Sequence, residues 1–153
     1  SHYDSIINLQ GDMPMINPED IAKANIPLQQ GFDIGTLVTE LTQDQAKDIN
    51  ITKAKIEWIN LHKIGKALDF EKGIIDLSAG NIYHHVGIYS FRYESLKKFI
   101  SLPPSKNEIS RKLEQLRALD AKMTLGVTYV KDIPISVDTK EDLFKVEKII
   151  KEL

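Results

Sequence analysis

Apolar positions along this chain recur at two periods, and the switching between them predicts alternating strands and helices. Ser5-Ile6-Ile7-Asn8-Leu9 is a continuous apolar run of the kind that forms a strand covered on both faces. Asn17-Pro18-Glu19-Asp20 then supplies a cap, a proline in the first helical position and acidic residues in the first turn. The helix it opens should reach about Gln30, with Pro27 ending or bending it early and Gly31 closing it. Residues 34–41 read as a strand, 43–48 as one or two helical turns, and 53–59 as a second alternating strand. Gly65, Gly73 and Gly80 interrupt the pattern over 62–81, so most of that segment is expected to be loop.

In a strand over residues 83–92, Tyr83, His85, Gly87, Tyr89 and Phe91 share one face, which is polar for a core. Ser105-Lys106-Asn107-Glu108 is a capping-box pattern, predicting a helix with Ile109, Leu113 and Leu116 as its apolar stripe. Residues 123–130 form a further strand. A second capping box, Thr139-Lys140-Glu141-Asp142, opens a helix with Leu143, Val146, Ile150 and Leu153 at helical spacing. This order predicts an α/β fold with a mainly parallel or mixed sheet flanked by helices, in one domain over residues 1–153. The chain opens at Ser1 and enters a buried-type strand almost at once, so the sheet is expected to be incomplete at its N-terminus.

Composition narrows the function classes. With 153 residues, 42% of them hydrophobic, the chain can bury an ordinary core. A formal net charge of -2 with interspersed signs leaves no basic stripe, which argues against polymeric nucleic acid or an anionic membrane surface as partner. The absence of cysteine removes disulfides and thiolate metal sites, and the apolar runs are too short to span a bilayer. A soluble cytoplasmic protein is expected.

Candidate chemistry begins at Asp12, which follows a buried strand where open α/β sheets place their ligands. A carboxylate there suits magnesium, and it suits turn stabilisation equally. Asp138, next to the capping Thr139, has the same two readings. His84 and His85 are adjacent in a strand, point to opposite faces and cannot chelate one metal together. His85 and Tyr89 share a face and can hydrogen-bond a polyhydroxylated or anionic ligand, or simply pack together. On a continuous helix Glu114 lies nearly opposite the apolar stripe and Gln115 at its margin, with Lys112 and Arg117 also on the solvated side. The phosphate-binding, hydrolase and dinucleotide fingerprints are all missing from the sequence.

Four segments in order, Ile7-Asn8-Leu9-Gln10-Gly11-Asp12, His85-Val86-Gly87-Ile88-Tyr89, Leu113-Glu114-Gln115-Leu116-Arg117 and Val137-Asp138-Thr139-Lys140-Glu141-Asp142-Leu143, resemble the CMP-Kdo synthetase family. The resemblance implies a nucleotide-diphospho-sugar transferase-like fold. It further implies a homodimeric cytidylyltransferase of lipopolysaccharide biosynthesis that joins CTP and Kdo and releases pyrophosphate. It assigns Asp12 and Asp138 as the magnesium-binding and catalytic aspartates, and Gln10, Lys72, His85, Tyr89, Glu114 and Gln115 to substrate binding. The related CMP-sialic acid synthetases share the general plan, while Leu-Glu-Gln-Leu-Arg favours the Kdo branch.

The chain departs from the family at Met13, where an acidic residue is usual, and over Ala67-Leu68-Asp69-Phe70-Glu71-Lys72, where Lys72 replaces an arginine and loses its planar grip. Relative to the family it also lacks the basic loop that embraces the triphosphate. Little or no activity is therefore expected of this polypeptide alone, and a decayed non-catalytic remnant is the alternative reading.

Overall fold

The computed structural model describes residues 5–9 and 18–131, so Gln10, Asp12, Met13, Asp138 and the helix expected after Thr139 lie outside the described residues. Among the described residues six strands form one sheet: β1 (Ser5–Leu9), β2 (Ile34–Thr39), β3 (Lys53–Asn60), β4 (Ile64–Glu71), β5 (Ile82–Arg92) and β6 (Leu125–Tyr129). Five helices accompany them: α1 (Pro18–Gln29), α2 (Gln43–Ala46), α3 (Tyr93–Ser101), α4 (Lys106–Arg111) and α5 (Leu116–Asp120).

The sheet is mixed, with order β1-β5-β2-β6-β4-β3, and β3 pairs in addition with β5. His84 lies opposite both Thr39 of β2 and Lys53 of β3, so these two strands take opposite edges of β5 and the sheet curls back on itself. Of the mainly parallel or mixed sheet expected, the mixed form is found and the mainly parallel one is not. Among the described residues only β2 and β6 run parallel, and every other pairing is antiparallel. Three of the antiparallel pairings are made by β5 and the other two by β4, a strand in a segment expected to be loop. It returns from β3 through a tight turn, with Asn60 opposite Ile64, and such a hairpin is antiparallel by construction.

Gly65 does not break this strand. A side chain there would place Cβ 2.6 Å from Ile56 Cγ2 and 3.0 Å from Trp58 Cε3, so glycine is what lets β4 lie against β3. Ala67 and Phe70 on the same strand are almost fully buried while Lys66, Leu68 and Glu71 face outward.

Helix α1 covers one face of the sheet. Ala24 packs with Leu37, Val86, Ile88 and Val130. Pro27 sits inside α1 without ending it. Proline has no N–H to give the carbonyl four residues earlier, but Thr128 Oγ1 donates to that Lys23 carbonyl at 2.8 Å and replaces the missing bond. The helix stops at Gln29, followed by Gly31 at φ +97°, as its position predicted. The guanidinium of Arg92 then donates to the Leu28 and Phe32 carbonyls at the helix end.

The opposite face carries the larger core, built from Ile34, Val38, Phe70, Tyr89, Phe91, Leu125 and Val127 under Phe99 of α3 and Leu113, Leu116 and Ala118 around α5. No helix among the described residues is long and apolar enough to cross a membrane.

Candidate functional site

The helix expected after Ser105 starts as predicted, with a capping box in which Ser105 and Glu108 each accept from the other's backbone N–H. It then stops. Lys112 adopts the left-handed conformation at φ +57°, and a separate helix begins at Leu116. Ile109 is therefore exposed, while Leu113 and Leu116 enter the core, so the three do not form one stripe. Arg117, expected on a solvated face, instead closes the break. Its Nε and Nη2 donate to Glu108 at 2.9 and 2.6 Å, and its guanidinium lies 5.1 Å from the Phe99 ring centre. Nine residues of continuous helix would separate these partners by roughly 13 Å, so the bidentate pair requires the kink.

The kink decides where Glu114 and Gln115 go. Both line a pocket between the sheet and the helices, with Ile34, Tyr89, Phe91, Phe99, Ala118 and Leu125 as its remaining walls. It holds ≈ 350 Å³, open solvent at its mouth included. Five of the eight lining residues are apolar, and three polar groups converge on the pocket. Tyr89 and Gln115 are only 8% and 9% exposed, yet the phenol and the amide have no hydrogen-bond partner among the described residues. The Glu114 carboxylate likewise makes no hydrogen bond or ion pair among them. Glu114 is exposed, and the buried Tyr89 and Gln115, with their polar ends open to a pocket, are the arrangement a polar ligand completes. Burial first, and then the nearby Glu114 carboxylate, push the Tyr89 phenol above its ordinary value, so it remains a neutral donor across the physiological range.

His85 stands behind Tyr89 on the same strand face, with ring centres 5.5 Å apart, and packs edge-on against Phe70 at 4.9 Å. The shared face read from the strand period is present, and it continues through Phe91 to Phe99. His85 is buried and neutral: burial, and secondarily His84, depress its pKa to about 3. Because this lies below the ordinary value of 6.5, the unfolded chain takes up the proton first as pH falls. The resulting stability is complete above pH ~6.5 and is lost as pH drops toward ~3, with a slope of at most about 1.4 kcal/mol per pH unit. Urea unfolding of the parent and of His85→Gln at several pH values between 7 and 4 checks this. The difference between the two should shrink steadily below pH ~6, and parallel curves would contradict the burial of a neutral imidazole.

The structure thus brings Tyr89, Glu114 and Gln115 onto one pocket, and His85 packs against Tyr89 without itself lining the pocket. Lys72 is exposed and does not line the pocket. Its carbonyl accepts from Lys53 Nζ at 3.0 Å, and that same ammonium donates to the Asp48 carbonyl at 2.6 Å. Lys53, which is 1% exposed, ties two loops together and was not singled out in the sequence. Its burial lowers its pKa despite the carboxylates of Asp48 and Glu71. Asp69, in the segment that departs from the family, pairs with Arg111 at 2.7 Å. Among the described residues no three His, Asp or Glu side chains are grouped to hold a metal ion. Strand β1 ends at Leu9 opposite Ile88, with Asn8 opposite Tyr89.

Comparison with known proteins places this geometry. Residues 1–133 match the family model described as cytidylyltransferase. The 3-deoxy-manno-octulosonate cytidylyltransferase of Paramagnetospirillum magneticum is 38% identical over 151 residues, covering 97% of this chain and 61% of that protein. The enzyme of the same name from Bartonella tribocorum is 42% identical over 150 residues, with the same two coverages. Among solved structures, a CMP:2-keto-3-deoxy-manno-octonic acid synthetase complexed with CTP superposes with a TM-score of 0.81 at 30% identity, over 98% of this chain and 63% of that one. An apo UDP-glucose pyrophosphorylase, at TM-score 0.64 and 13% identity over 97% of this chain and 55% of the other, shares the fold alone. The chain spans 61% of the length of those two curated relatives. With the family model matched over most of its length, on a mixed α/β sheet shared with a CTP-bound synthetase, the chain belongs to the cytidylyltransferase family.

Proposed function

We propose that the pocket lined by Tyr89, Glu114 and Gln115 is the sugar-acid site of a 3-deoxy-manno-octulosonate cytidylyltransferase. The observation that carries this reading is the convergence of three polar groups, with no hydrogen-bond partner among the described residues, on a pocket whose other walls are apolar. Such a site orients a polyhydroxylated ligand by a few directional bonds and excludes water with the rest of its wall. The names of the relatives supply the ligand. The matched region covers 97% of this chain in both relatives.

In the proposed reaction the anomeric hydroxyl of 3-deoxy-manno-octulosonate attacks the α-phosphorus of CTP. The bond from that phosphorus to the bridging oxygen breaks, pyrophosphate leaves with its electron pair, and the hydroxyl proton is lost to solvent or a base. Tyr89 and Gln115 would hold the sugar so that this hydroxyl faces the nucleotide, since positioning accounts for much of phosphoryl-transfer catalysis. Magnesium, when bound, neutralises charge on the phosphates. Asp12 and Asp138, assigned to it by resemblance, lie outside the described residues. A homodimer acting in the cytoplasm belongs to the same proposal.

Titration calorimetry with 3-deoxy-manno-octulosonate and, separately, N-acetylneuraminate tests the reading. The octulosonate should bind more tightly, and Tyr89→Phe should weaken it about tenfold through the loss of one hydrogen bond. Absence of heat at millimolar octulosonate, or preference for the sialic acid, would refute it.

A further inference from the structure

Thr36 lies on β2, buried beneath His85, at the point where the register between β2 and β5 shifts. Its Oγ1 is 2.9 Å from His85 Nε2, 2.8 Å from the Ile88 carbonyl and 3.1 Å from the Val86 carbonyl. A threonine hydroxyl has one hydrogen to give and lone pairs to receive with. Both carbonyls can only accept, so that hydrogen belongs to them. The 2.9 Å contact to Nε2 is then a hydrogen bond only if the imidazole is the donor. This arrangement gives Nε2 an acceptor and leaves the hydroxyl hydrogen to the carbonyls, whereas the opposite tautomer sets a nitrogen lone pair against an oxygen lone pair or takes the proton from the carbonyls.

The consequence falls on the other ring nitrogen. A neutral imidazole that carries its proton on Nε2 has a bare lone pair at Nδ1, and His85 Nδ1 has no hydrogen-bond partner among the described residues. We infer that Thr36 is a positioning residue of the site: it holds His85 as the Nε2–H tautomer, so that Nδ1 accepts a hydrogen bond from a hydroxyl of the ligand and rejects its carboxylate. The ligand half of this inference rests on the sugar-acid reading above, while the tautomer does not. The depressed pKa of His85 agrees, since a protonated ring would present donors on both sides. A carboxylate brought to Nδ1 would meet lone pair with lone pair. A sugar hydroxyl supplies the missing hydrogen, so this edge discriminates by donor rather than by charge.

The test uses the 153-residue chain with nitrogen-labelled histidine. Long-range proton–nitrogen correlation should show a pyrrole-type Nε2 and a pyridine-type Nδ1 for His85 in the parent and in Thr36→Ser, and mixed tautomers in Thr36→Val. On adding 3-deoxy-manno-octulosonate, Nδ1 should shift as a nitrogen that accepts a hydrogen bond, without acquiring a proton. Binding should weaken about tenfold in Thr36→Val and stay within about twofold in Thr36→Ser. A pyrrole-type Nδ1 in the parent overturns the inference, and that spectrum decides even if the valine variant fails to fold. Undiminished affinity in a folded Thr36→Val overturns it as well. The expected tautomer together with no sugar binding by the parent would instead refute the sugar-acid reading and leave the Thr36 lock standing.

Discussion

Replacing Gly35 with alanine is expected to cost about 3 kcal/mol or more of folding stability, at or beyond the upper end of what overpacking usually costs. The reason is that the obstacle is backbone. A Cβ at position 35 would lie 2.0 Å from the Ala24 carbonyl oxygen and 3.2 Å from its carbon, so no side-chain rotation relieves the contact. Helix α1 must retreat from the sheet, and its retreat also strains the Thr128 bond to the Lys23 carbonyl and the Ser90 bond to Asn25. The Thr128 bond is what allows α1 to run through Pro27. In urea the midpoint should fall with little change of slope, and the melting temperature should drop by roughly 6–12 °C. A loss below about 1 kcal/mol would mean that α1 does not sit against Gly35. The pocket lies on the opposite face of the sheet, so the folded fraction of the variant should bind sugar acid as the parent does.

Gln115→Leu is expected to do the reverse. Leucine approximates the shape of glutamine without the amide, and Gln115 is buried with no partner among the described residues for that amide to lose. Stability should therefore change by less than about 1 kcal/mol in either direction. If the amide's partner is the ligand, affinity for 3-deoxy-manno-octulosonate should fall by about 2–3 kcal/mol, roughly thirty- to a hundredfold, because a ligand polar group is then desolvated against an apolar wall. Calorimetry and urea unfolding on the same preparation separate the cases. Lower stability with unchanged affinity would make Gln115 a structural residue and remove it from the site.

The different behaviour of these two positions reflects how much of the molecule its sequence makes legible. Strands β3 and β5 follow from alternation, β2 and β6 from short apolar runs, and the ends of α1 from Pro18 and Gly31, because the signals are local. Strand β4 does not, since Gly65 looks like a breaker until Ile56 and Trp58 are seen to occupy the space a side chain would need. The polar face holding His85 and Tyr89 is readable from a period of two. Gln115 is not, because the helical wheel that put it at a solvated margin assumed one continuous helix. The break at Lys112 and the Glu108–Arg117 pair that spans it depend on tertiary contact with Phe99. Thr36 and Lys53 were equally hidden, since each acts on carbonyls or rings brought to it by the fold. Resemblance to the family pointed to Glu114 and Gln115, and the kink supplies the physical reason they face a pocket.

The most direct test of the sugar-acid site is a crystal structure of the chain grown with 3-deoxy-manno-octulosonate. The account predicts the ligand between α5 and the sheet, within hydrogen-bond distance of Tyr89 Oη and the Gln115 side-chain amide, with one hydroxyl directed at His85 Nδ1. Ligand bound elsewhere with this pocket left to solvent, at concentrations where calorimetry shows saturation, would contradict it.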